Sequence, residues 1–293
     1  MHVLIYSQRF KTADKPYIET VLNKLKQENI TFGFYAPYHT MLIKKYPEYA
    51  DYETKNDGDK VEKDDFDFVF SLGGDGTILN AVTLVQEAEI PICGINLGRL
   101  GFMATIEKTK IEDAIDKLLS KEYRVEPRSM LSLNSNKSLF KGLPFALNDF
   151  TLHKRDTSSM MIIHTYINGD FINSYWADGL VVSTPTGSTG YSLSCGGPIV
   201  FPSSSNFVIT PVAPHNLNVR PLVVSDDSKI EFHIEGRSKN YMCTLDARSE
   251  KVTSKVELRV QKNHFVANIV LLDDITFINT IRKKLNWGLD SRN

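Results

Sequence analysis

Apolar residues follow two alternating patterns in the first 123 residues of the chain. Short apolar runs such as Val3–Tyr6 and Phe66–Leu72 are typical of buried strands, and helical spacing follows each of them. The clearest helical face carries apolar side chains that recur every three or four positions, at Ile18, Val21, Leu22 and Leu25. Strands that alternate with helices predict an α/β N-terminal domain with a mostly parallel sheet over residues 1–123.

The pattern changes after residue 123, where short apolar strands follow one another and helical spacing disappears. Asn168-Gly169 separates two of these strands, and this dipeptide strongly favours a tight hairpin turn. Residues 124–272 are therefore predicted to form an all-β sandwich as the C-terminal domain. Helical spacing returns at Phe277–Leu285, so we expect residues 273–293 to return to the first domain and pack against its helices.

Charge and cysteine content narrow the class of protein. The 293 residues include 34 Lys and Arg against 35 Asp and Glu, with no basic run, which argues against nucleic-acid binding. No segment reaches the roughly 18 apolar residues of a membrane span, which argues against a membrane protein. Three widely spaced cysteines, and a start of the chain that does not resemble a secretory signal, predict a cytoplasmic protein. No Cys or His spacing indicates a metal site.

Gly73-Gly74-Asp75-Gly76-Thr77 joins a predicted buried strand to a predicted helix. Ligands of α/β proteins bind at such strand ends. Glycines let backbone N–H groups approach a phosphate chain closely, and the N-terminus of the following helix adds partial positive charge. The segment is neither a Walker A loop, since no Gly-Lys-Ser/Thr follows, nor a GxGxxG fingerprint. It indicates a phosphate-binding turn of another kind.

Asp75 is unusual beside a phosphate site, because its negative charge repels phosphate. A general base that accepts a proton from an alcohol would account for a carboxylate at this position. The alternative is a structural turn, since Asp-Gly is common in turns and Asp can cap the following helix. The position between strand and helix favours the catalytic interpretation.

Two further segments carry candidate binding groups. Nine of the eleven residues in 183–190 and 192–194 are Ser, Thr or Gly, and they offer uncharged donors to ribose and phosphate oxygens. Tyr191, within the same stretch, could stack on a base or belong to the core. Asn148-Asp149 sets an amide beside a carboxylate, and this pair could hold adenine or ribose hydroxyls or belong to a solvated turn.

Together these segments resemble the NAD kinase family over most of the chain, from about Phe66 to Asp246. The glycine-rich turn at 73–77 is similar to the family's first motif, which 6-phosphofructokinases and diacylglycerol-type lipid kinases share. Asn148-Asp149 resembles the family's Asn-Glu motif. Residues 178–198 resemble a long Gly- and Thr-rich motif that is specific to NAD kinases, and residues 96–102 match the family's loop after the fourth strand.

The resemblance implies roles for individual residues. Asp75 would accept the proton of the adenosine-ribose 2′-hydroxyl of NAD, and Phe102 would pack near adenine. Asn148 and Asp149 would hold the ribose of the nicotinamide half, and Asp178 would contact the nicotinamide end. The other predicted substrate-binding positions are Gly73, Gly74, Gly76, Thr77, Leu79, Trp176, Thr189, Gly190, Tyr191, Ser192, Leu193, Ser194, Ala213 and His215.

The resemblance further implies an enzyme that makes NADP from NAD with ATP or another phosphoryl donor. Its members use a divalent cation, usually Mg²⁺, and are commonly homodimers or homotetramers. No motif offers a dedicated metal cage, so we expect the triphosphate to hold the metal. The chain departs from the family pattern in carrying Asp149 for Glu, Gly190 for Ala and Trp176 for a polar residue. Leu245-Asp246-Ala247-Arg248 stands where the family often has a Gly-Gln pair, which leaves the role of Arg248 open.

Three alternatives are weighed against this interpretation. A diacylglycerol-type lipid kinase shares the first motif and a β-sandwich, but the segment 178–198 and the lack of a membrane-binding segment argue against it. A phosphofructokinase would need sugar-phosphate-binding arginines, which we cannot place. A catalytically idle NADP sensor is the third alternative, but a protein that only binds would gain nothing from the negative charge of Asp75 beside phosphate. Ligand binding without turnover for every phosphoryl donor would support the sensor.

Overall fold

A computed structural model describes residues 1–55, 61–155 and 160–288. In this part of the chain the strands are β1 (His2–Tyr6), β2 (Thr31–Tyr35), β3 (Thr54–Lys55), β4 (Phe68–Gly73), β5 (Ile92–Asn96), β6 (Ile106–Glu107), β7 (Tyr123–Arg128), β8 (Leu131–Ser135), β9 (Phe145–Ala146), β10 (Asp149–Lys154), β11 (Met161–Ile167), β12 (Asp170–Ala177), β13 (Gly179–Ser183), β14 (Asn206–Val212), β15 (Leu222–Ser225), β16 (Ile230–Gly236), β17 (Tyr241–Leu245), β18 (Arg248–Val252), β19 (Leu258–Lys262) and β20 (Ala267–Leu272). The α-helices are α1 (Lys15–Gln27), α2 (Ala36–Ile43), α3 (Asp75–Val85), α4 (Ile111–Leu119), α5 (Tyr191–Ser194) and α6 (Phe277–Leu285).

The chain divides into two compact units. Unit 1 contains the described residues of Met1–Pro127 and Ala267–Asn293, and unit 2 is Arg128–Val266. Unit 1 is built on an eight-stranded sheet of order β3-β2-β1-β4-β5-β20-β7, with β6 paired to β5. The pairings from β3 through to β20, and that of β6, are parallel. The mostly parallel sheet predicted from the alternating pattern is therefore confirmed.

Helices of unit 1 bury the apolar faces that their spacing predicts. On α1 the buried side chains are Ile18, Val21, Leu22 and Leu25, and they belong to one core cluster with β1 and β4. On α4 the buried set is Ile111, Ala114, Ile115 and Leu118. Because these faces cover the sheet, its central strands β1, β4 and β5 are shielded from water and read in the sequence as short apolar runs.

The unit boundaries differ from those expected from the sequence. The chain leaves unit 1 after Pro127 rather than after residue 123, and it returns at Ala267 rather than at residue 273. The difference arises from β20, which lies between β5 and β7 in the parallel sheet. The sequence of a short apolar strand does not indicate which sheet the strand joins. Because β20 follows a run of sandwich strands, it was assigned to the sandwich. Residues 289–293 of the expected return lie outside the described residues.

Unit 2 consists of two six-stranded sheets, of order β15-β14-β13-β10-β17-β18 and β12-β11-β16-β19-β8-β9. The pairings within both sheets are antiparallel. Phe150 of the first sheet stacks on Phe232 of the second with ring centroids 5.3 Å apart, and both belong to one buried cluster. The predicted all-β sandwich is confirmed.

The predicted hairpin joins β11 to β12 through Asn168 and Gly169. Both turn residues have positive φ, 53° and 92°, which Asn and Gly tolerate best among residues. Among the described residues, no helix has both the length and the apolar composition needed to cross a membrane.

Candidate functional site

The glycine-rich turn lies at the junction of β4, which ends at Gly73, and α3, which begins at Asp75. A Cβ added at Gly73 would lie 2.0 Å from Thr77 Oγ1, so only glycine fits against the first turn of the helix. A Cβ added at Gly74 or Gly76 would meet nothing within 4 Å. The turn is therefore tightly packed at Gly73 and open at the two glycines that flank Asp75, where a phosphate can approach the helix N-terminus.

The half-buried carboxylate of Asp75 is held by the backbone of the segment after β5. Its Oδ2 accepts a hydrogen bond from the N–H of Phe102 at 2.8 Å. Its Oδ1 accepts from the N–H groups of Met103 at 3.0 Å and Ala104 at 2.9 Å. Asp75 thus has a structural partner that the sequence did not reveal, because backbone N–H groups leave no mark in a sequence.

Asn96 and Gly101 shape the segment that supplies these N–H groups. Asn96 is buried, its Nδ2 donates to the carbonyl of Ala104 at 3.3 Å, and its Oδ1 accepts from the N–H of Gly98 at 2.8 Å. A Cβ added at Gly101 would lie 1.8 Å from Asp75 Oδ1. The close approach of this segment to the carboxylate therefore requires glycine at position 101.

The ring of Phe102 packs on the C-terminal helix of unit 1. Its centroid lies 6.3 Å from that of Phe277, and Lys284 Nζ lies 4.8 Å from the ring centre, a distance suited to a cation–π contact. Leu79 lies half-buried further along α3. The structure thus groups the predicted residues Gly73–Thr77 and Phe102 around Asp75. The place of Phe102 beside adenine stays a prediction.

In unit 2 the Ser-, Thr- and Gly-rich stretch forms a 3₁₀ turn, Thr186–Thr189, followed by the short helix α5. Several of its hydroxyls serve the local fold. Thr184 Oγ1 donates to the carbonyl of Leu147 at 2.6 Å, and Ser192 Oγ pairs with Thr210 Oγ1 at 2.8 Å. Ser192, which we expected in the ligand site, is fully buried, so its hydroxyl is committed to this internal pair.

Asn148 lies against this stretch. Its backbone carbonyl accepts from the N–H of Thr184 at 2.9 Å, and a Cβ at Gly187 would lie 2.0 Å from the same oxygen. Its side-chain Oδ1 is buried and accepts no hydrogen bond from any described residue. A buried acceptor without a donor is costly, so this oxygen is suited to receive a ligand hydroxyl.

Asp149 is buried beside Asn148, and its Oδ1 accepts a hydrogen bond from Thr151 Oγ1 at 3.0 Å. Burial, together with repulsion from the nearby carboxylate of Asp246, raises the pKa of Asp149 to about 7, against the opposing effect of the Thr151 bond. Asp149 therefore changes charge within the range of pH in which enzymes are assayed. Strongly shifted carboxylates concentrate at functional sites.

Tyr191 is 38 % exposed at the start of α5, and its ring centroid lies 5.4 Å from that of His153. The surface position favours a stacking platform over the core role that the sequence left open.

Burial lowers the pKa of His153, although its contacts with Asp178 oppose this change. Asp178 pairs with Lys154, whose Nζ lies 2.5 Å from Asp178 Oδ1.

Trp176 is 47 % exposed at the end of β12. Its carbonyl accepts from the N–H of His215 at 2.7 Å, and its own N–H donates to Asn216 Oδ1 at 3.2 Å. Ala213, two residues before His215, has a left-handed φ of 45°. The segment after β14, which carries Ala213 and His215, is thus hydrogen-bonded to the backbone of Trp176. Contacts of these three predicted positions with a ligand stay predictions.

Two residues that hold the Asn148-Asp149 segment were not assigned a role from the sequence. Asp246 and Arg248, on the turn between β17 and β18, contact the backbone immediately before and at Asn148-Asp149. The signal in the sequence was the departure from the family's Gly-Gln pair at Leu245-Asp246-Ala247-Arg248, which does not say what the side chains of Asp246 and Arg248 contact.

Comparison with known protein families gives two matches along this chain. Residues 9–123 match the ATP-NAD kinase N-terminal domain, and residues 147–272 match the ATP-NAD kinase C-terminal domain. The chain is 46 % identical over 293 residues to an NAD kinase of Cytophaga hutchinsonii, with 99 % of each chain covered. It is 43 % identical to an NAD kinase of Flavobacterium psychrophilum, with 100 % of each covered.

Solved structures show the same fold. An NAD kinase from Archaeoglobus fulgidus in complex with ATP has a TM-score of 0.73 at 25 % identity, covering 97 % of this chain and 98 % of that one. Yeast NADH kinase complexed with NADH has a TM-score of 0.83 at 21 % identity, covering 99 % of this chain and 88 % of that one. At that lower identity the second likeness concerns the fold alone.

Proposed function

This chain belongs to the NAD kinase family, and we propose that it transfers a phosphoryl group from ATP, or another phosphoryl donor, to the adenosine-ribose 2′-hydroxyl of NAD to give NADP. The observation that carries this proposal is the carboxylate of Asp75 at an open glycine-rich turn. A carboxylate repels phosphate, and its presence there is explained by a proton that must be removed from an alcohol.

Asp75 is suited to accept that proton because its hydrogen bonds leave part of it free. An ionised carboxylate offers about four lone-pair positions, and the three backbone N–H groups occupy two on Oδ1 and one on Oδ2. The remaining position on Oδ2 can accept the hydrogen bond of the ribose 2′-hydroxyl. The backbone bonds hold the carboxylate in one orientation, and such positioning is a large part of catalysis of phosphoryl transfer.

The glycine-rich turn and the start of α3 would receive the phosphates of the donor, since their N–H groups and the helix dipole favour anions. The described residues contain no group of three or more His, Cys, Asp or Glu side chains able to hold a metal ion. We therefore propose that Mg²⁺ is bound by the donor's phosphates, where it neutralises their charge. A cytoplasmic location and assembly into a homodimer or homotetramer remain predictions. Light scattering after size-exclusion chromatography would test the oligomeric state.

We expect the purified protein to convert NAD to NADP in the presence of ATP and Mg²⁺. A dehydrogenase that accepts only NADP reports the product continuously. Chelation of the metal with EDTA should abolish turnover, and excess Mg²⁺ should restore it. Polyphosphate, other triphosphates and NADH are tested in parallel. Binding of NAD without turnover for any donor would contradict the proposal and support an NADP sensor.

The pH dependence of NAD binding tests the role of Asp149. Below about pH 7 the carboxyl is largely protonated, and above it the carboxylate can accept hydrogen bonds from ribose hydroxyls. We expect KM for NAD to fall several-fold as the pH rises from about 6 to about 8. At about pH 8 the variant Asp149→Asn should have a higher KM for NAD than the wild type. Its KM should also lose most of the dependence on pH. An unchanged pH profile in the variant would remove Asp149 from NAD binding.

The same titration affects the stability of the ligand-free protein. Asp149 keeps its proton in the folded chain up to about pH 7, whereas in the unfolded chain it loses it near pH 4. Its contribution to the free energy of unfolding therefore falls as the pH rises from about 4 to about 7. Asp149→Asn, which is neutral throughout, should gain in melting temperature relative to the wild type as the pH rises. This control separates titration of Asp149 from that of other groups.

A further inference from the structure

The turn between β17 and β18 holds the backbone at Asn148-Asp149 through Asp246. The Asp246 carboxylate accepts three hydrogen bonds from consecutive N–H groups, those of Leu147 at 3.0 Å, Asn148 at 2.7 Å and Asp149 at 3.2 Å. Asp246 itself has a left-handed φ of 52°, a conformation that Asp and Asn adopt more readily than most residues. The turn therefore presents the carboxylate directly to the segment that carries the two predicted ribose-binding residues.

Arg248, two residues further on, holds the same segment from the other end. Its Nη1 donates to the carbonyl of Leu143 at 2.6 Å, and its Nη2 donates to the carbonyl of Phe145. The guanidinium also lies 5.4 Å from the ring centroid of Phe145, within range of a cation–π contact. The turn thus binds residues 143–149 by their carbonyls at one end and by their N–H groups at the other.

This segment needs external support because it crosses between the two sheets of the sandwich. Phe145–Ala146 forms β9 at the edge of one sheet, and Asp149 begins β10 within the other. Leu147 and Asn148 lie between these strands, and their N–H groups donate to Asp246. The direction in which Asn148 and Asp149 present their side chains therefore depends on that carboxylate.

Electrostatics links the turn to the site as well. Burial raises the pKa of Asp246, and both its three backbone hydrogen bonds and the positive charge of Arg248 oppose this shift. Asp246 in turn raises the pKa of Asp149. Asp149 also acts on Tyr191 and Cys195, whose pKa values burial and the negative charge of Asp149 both raise.

We propose that Asp246 and Arg248 are positioning residues, which set the orientation of Asn148 and Asp149 for NAD through the five backbone hydrogen bonds of the β17–β18 turn. This proposal rests on the proposed function, since it assigns the two residues to the binding of NAD. It concerns binding of NAD alone, and the donor phosphates are assigned to the glycine-rich turn of unit 1.

Asp246→Asn is the sharpest test. The carboxamide keeps one acceptor oxygen and turns the other into a donor that faces a backbone N–H, so at least one of the three bonds is lost. We expect Kd and KM for NAD to rise about tenfold, equivalent to about 1.4 kcal/mol, with KM for ATP unchanged. Arg248→Met should have a similar effect, and Arg248→Lys, which keeps the charge without the planar fork, should restore part of the affinity.

Glu250→Met is the matched control. Glu250 lies on the same hairpin, and its Oε1 accepts from the N–H of Phe140 at 2.7 Å, away from Asn148 and Asp149. Methionine cannot accept this bond, so the variant loses a carboxylate bond to backbone without touching the site. We expect it to lower the melting temperature as Asp246→Asn does, with unchanged affinity for NAD.

Direct titration of NAD by calorimetry separates this proposal from the proposed function. If the wild type binds NAD and makes NADP but Asp246→Asn binds NAD equally well, the positioning role is wrong while the kinase assignment stands. If Asp246→Asn and Glu250→Met lose affinity for NAD in proportion to their loss of melting temperature, the turn has only a structural role. Absence of NADP formation by the wild type would instead overturn the proposed function.

Discussion

Asp75→Asn is expected to lower kcat for NADP formation by about 10²–10⁴-fold, the usual contribution of a positioned general base. The carboxamide cannot accept the proton of the 2′-hydroxyl at neutral pH. It also cannot reproduce the hydrogen bonds of the carboxylate, because its NH₂ group would face at least one of the N–H groups of Phe102, Met103 and Ala104. The loss is therefore expected to include both chemistry and positioning.

Kinetics and binding together distinguish these two contributions. We expect Kd for NAD, measured by calorimetry, to rise several-fold in Asp75→Asn, because the segment that carries Phe102 loses part of its support. Asp113→Asn, which changes a carboxylate on α4, serves as the control and should behave like the wild type. Turnover of Asp75→Asn within about threefold of the wild type would exclude Asp75 as the base, since a positioned base contributes far more.

The sequence alone would predict a different result for the same variant. From the motif, Asp75 is a base that points at the substrate, so its amide should leave NAD binding intact. The structure changes this expectation because the carboxylate also holds the backbone of residues 102–104. That contact joins positions that lie 27 to 29 residues apart. It involves backbone N–H groups, which every residue except proline has, so no pattern of residue types predicts it.

Most of the fold could be predicted because its strands and helices differ in apolar spacing. The buried face of α1 and the hairpin at Asn168-Gly169 follow from local patterns alone. β20 could not be assigned in the same way, since pairing with β5 is decided by packing across the whole sheet. Asp246 was missed for a similar reason: it lies 97 to 99 residues from the N–H groups that it binds, and only the folded sandwich brings them together.

Gly101→Ala is expected to lower kcat/KM for NADP formation at least about 10²-fold, although the substitution adds a single methyl group. The added Cβ would lie 1.8 Å from Asp75 Oδ1 and 2.6 Å from Cγ, much closer than atoms can approach. Either the carboxylate or the segment after β5 must move. In the proposed reaction the carboxylate is the base and the segment after β5 holds it in place. A displacement of about 1 Å at a catalytic group can lower the rate about 10²-fold.

Gly98→Ala in the same segment is the matched control. Its added Cβ would meet only Asn96 Oδ1, at 3.8 Å, which is an ordinary van der Waals contact, so turnover should stay close to that of the wild type. The comparison removes the general effect of stiffening a glycine-containing loop, because both variants exchange glycine for alanine. Equal activity of Gly101→Ala and Gly98→Ala would mean that the contact between Asp75 and residues 102–104 does not support catalysis. A loss confined to Gly101→Ala, with an unchanged melting temperature, would show that catalysis depends on the close approach of this backbone to the carboxylate.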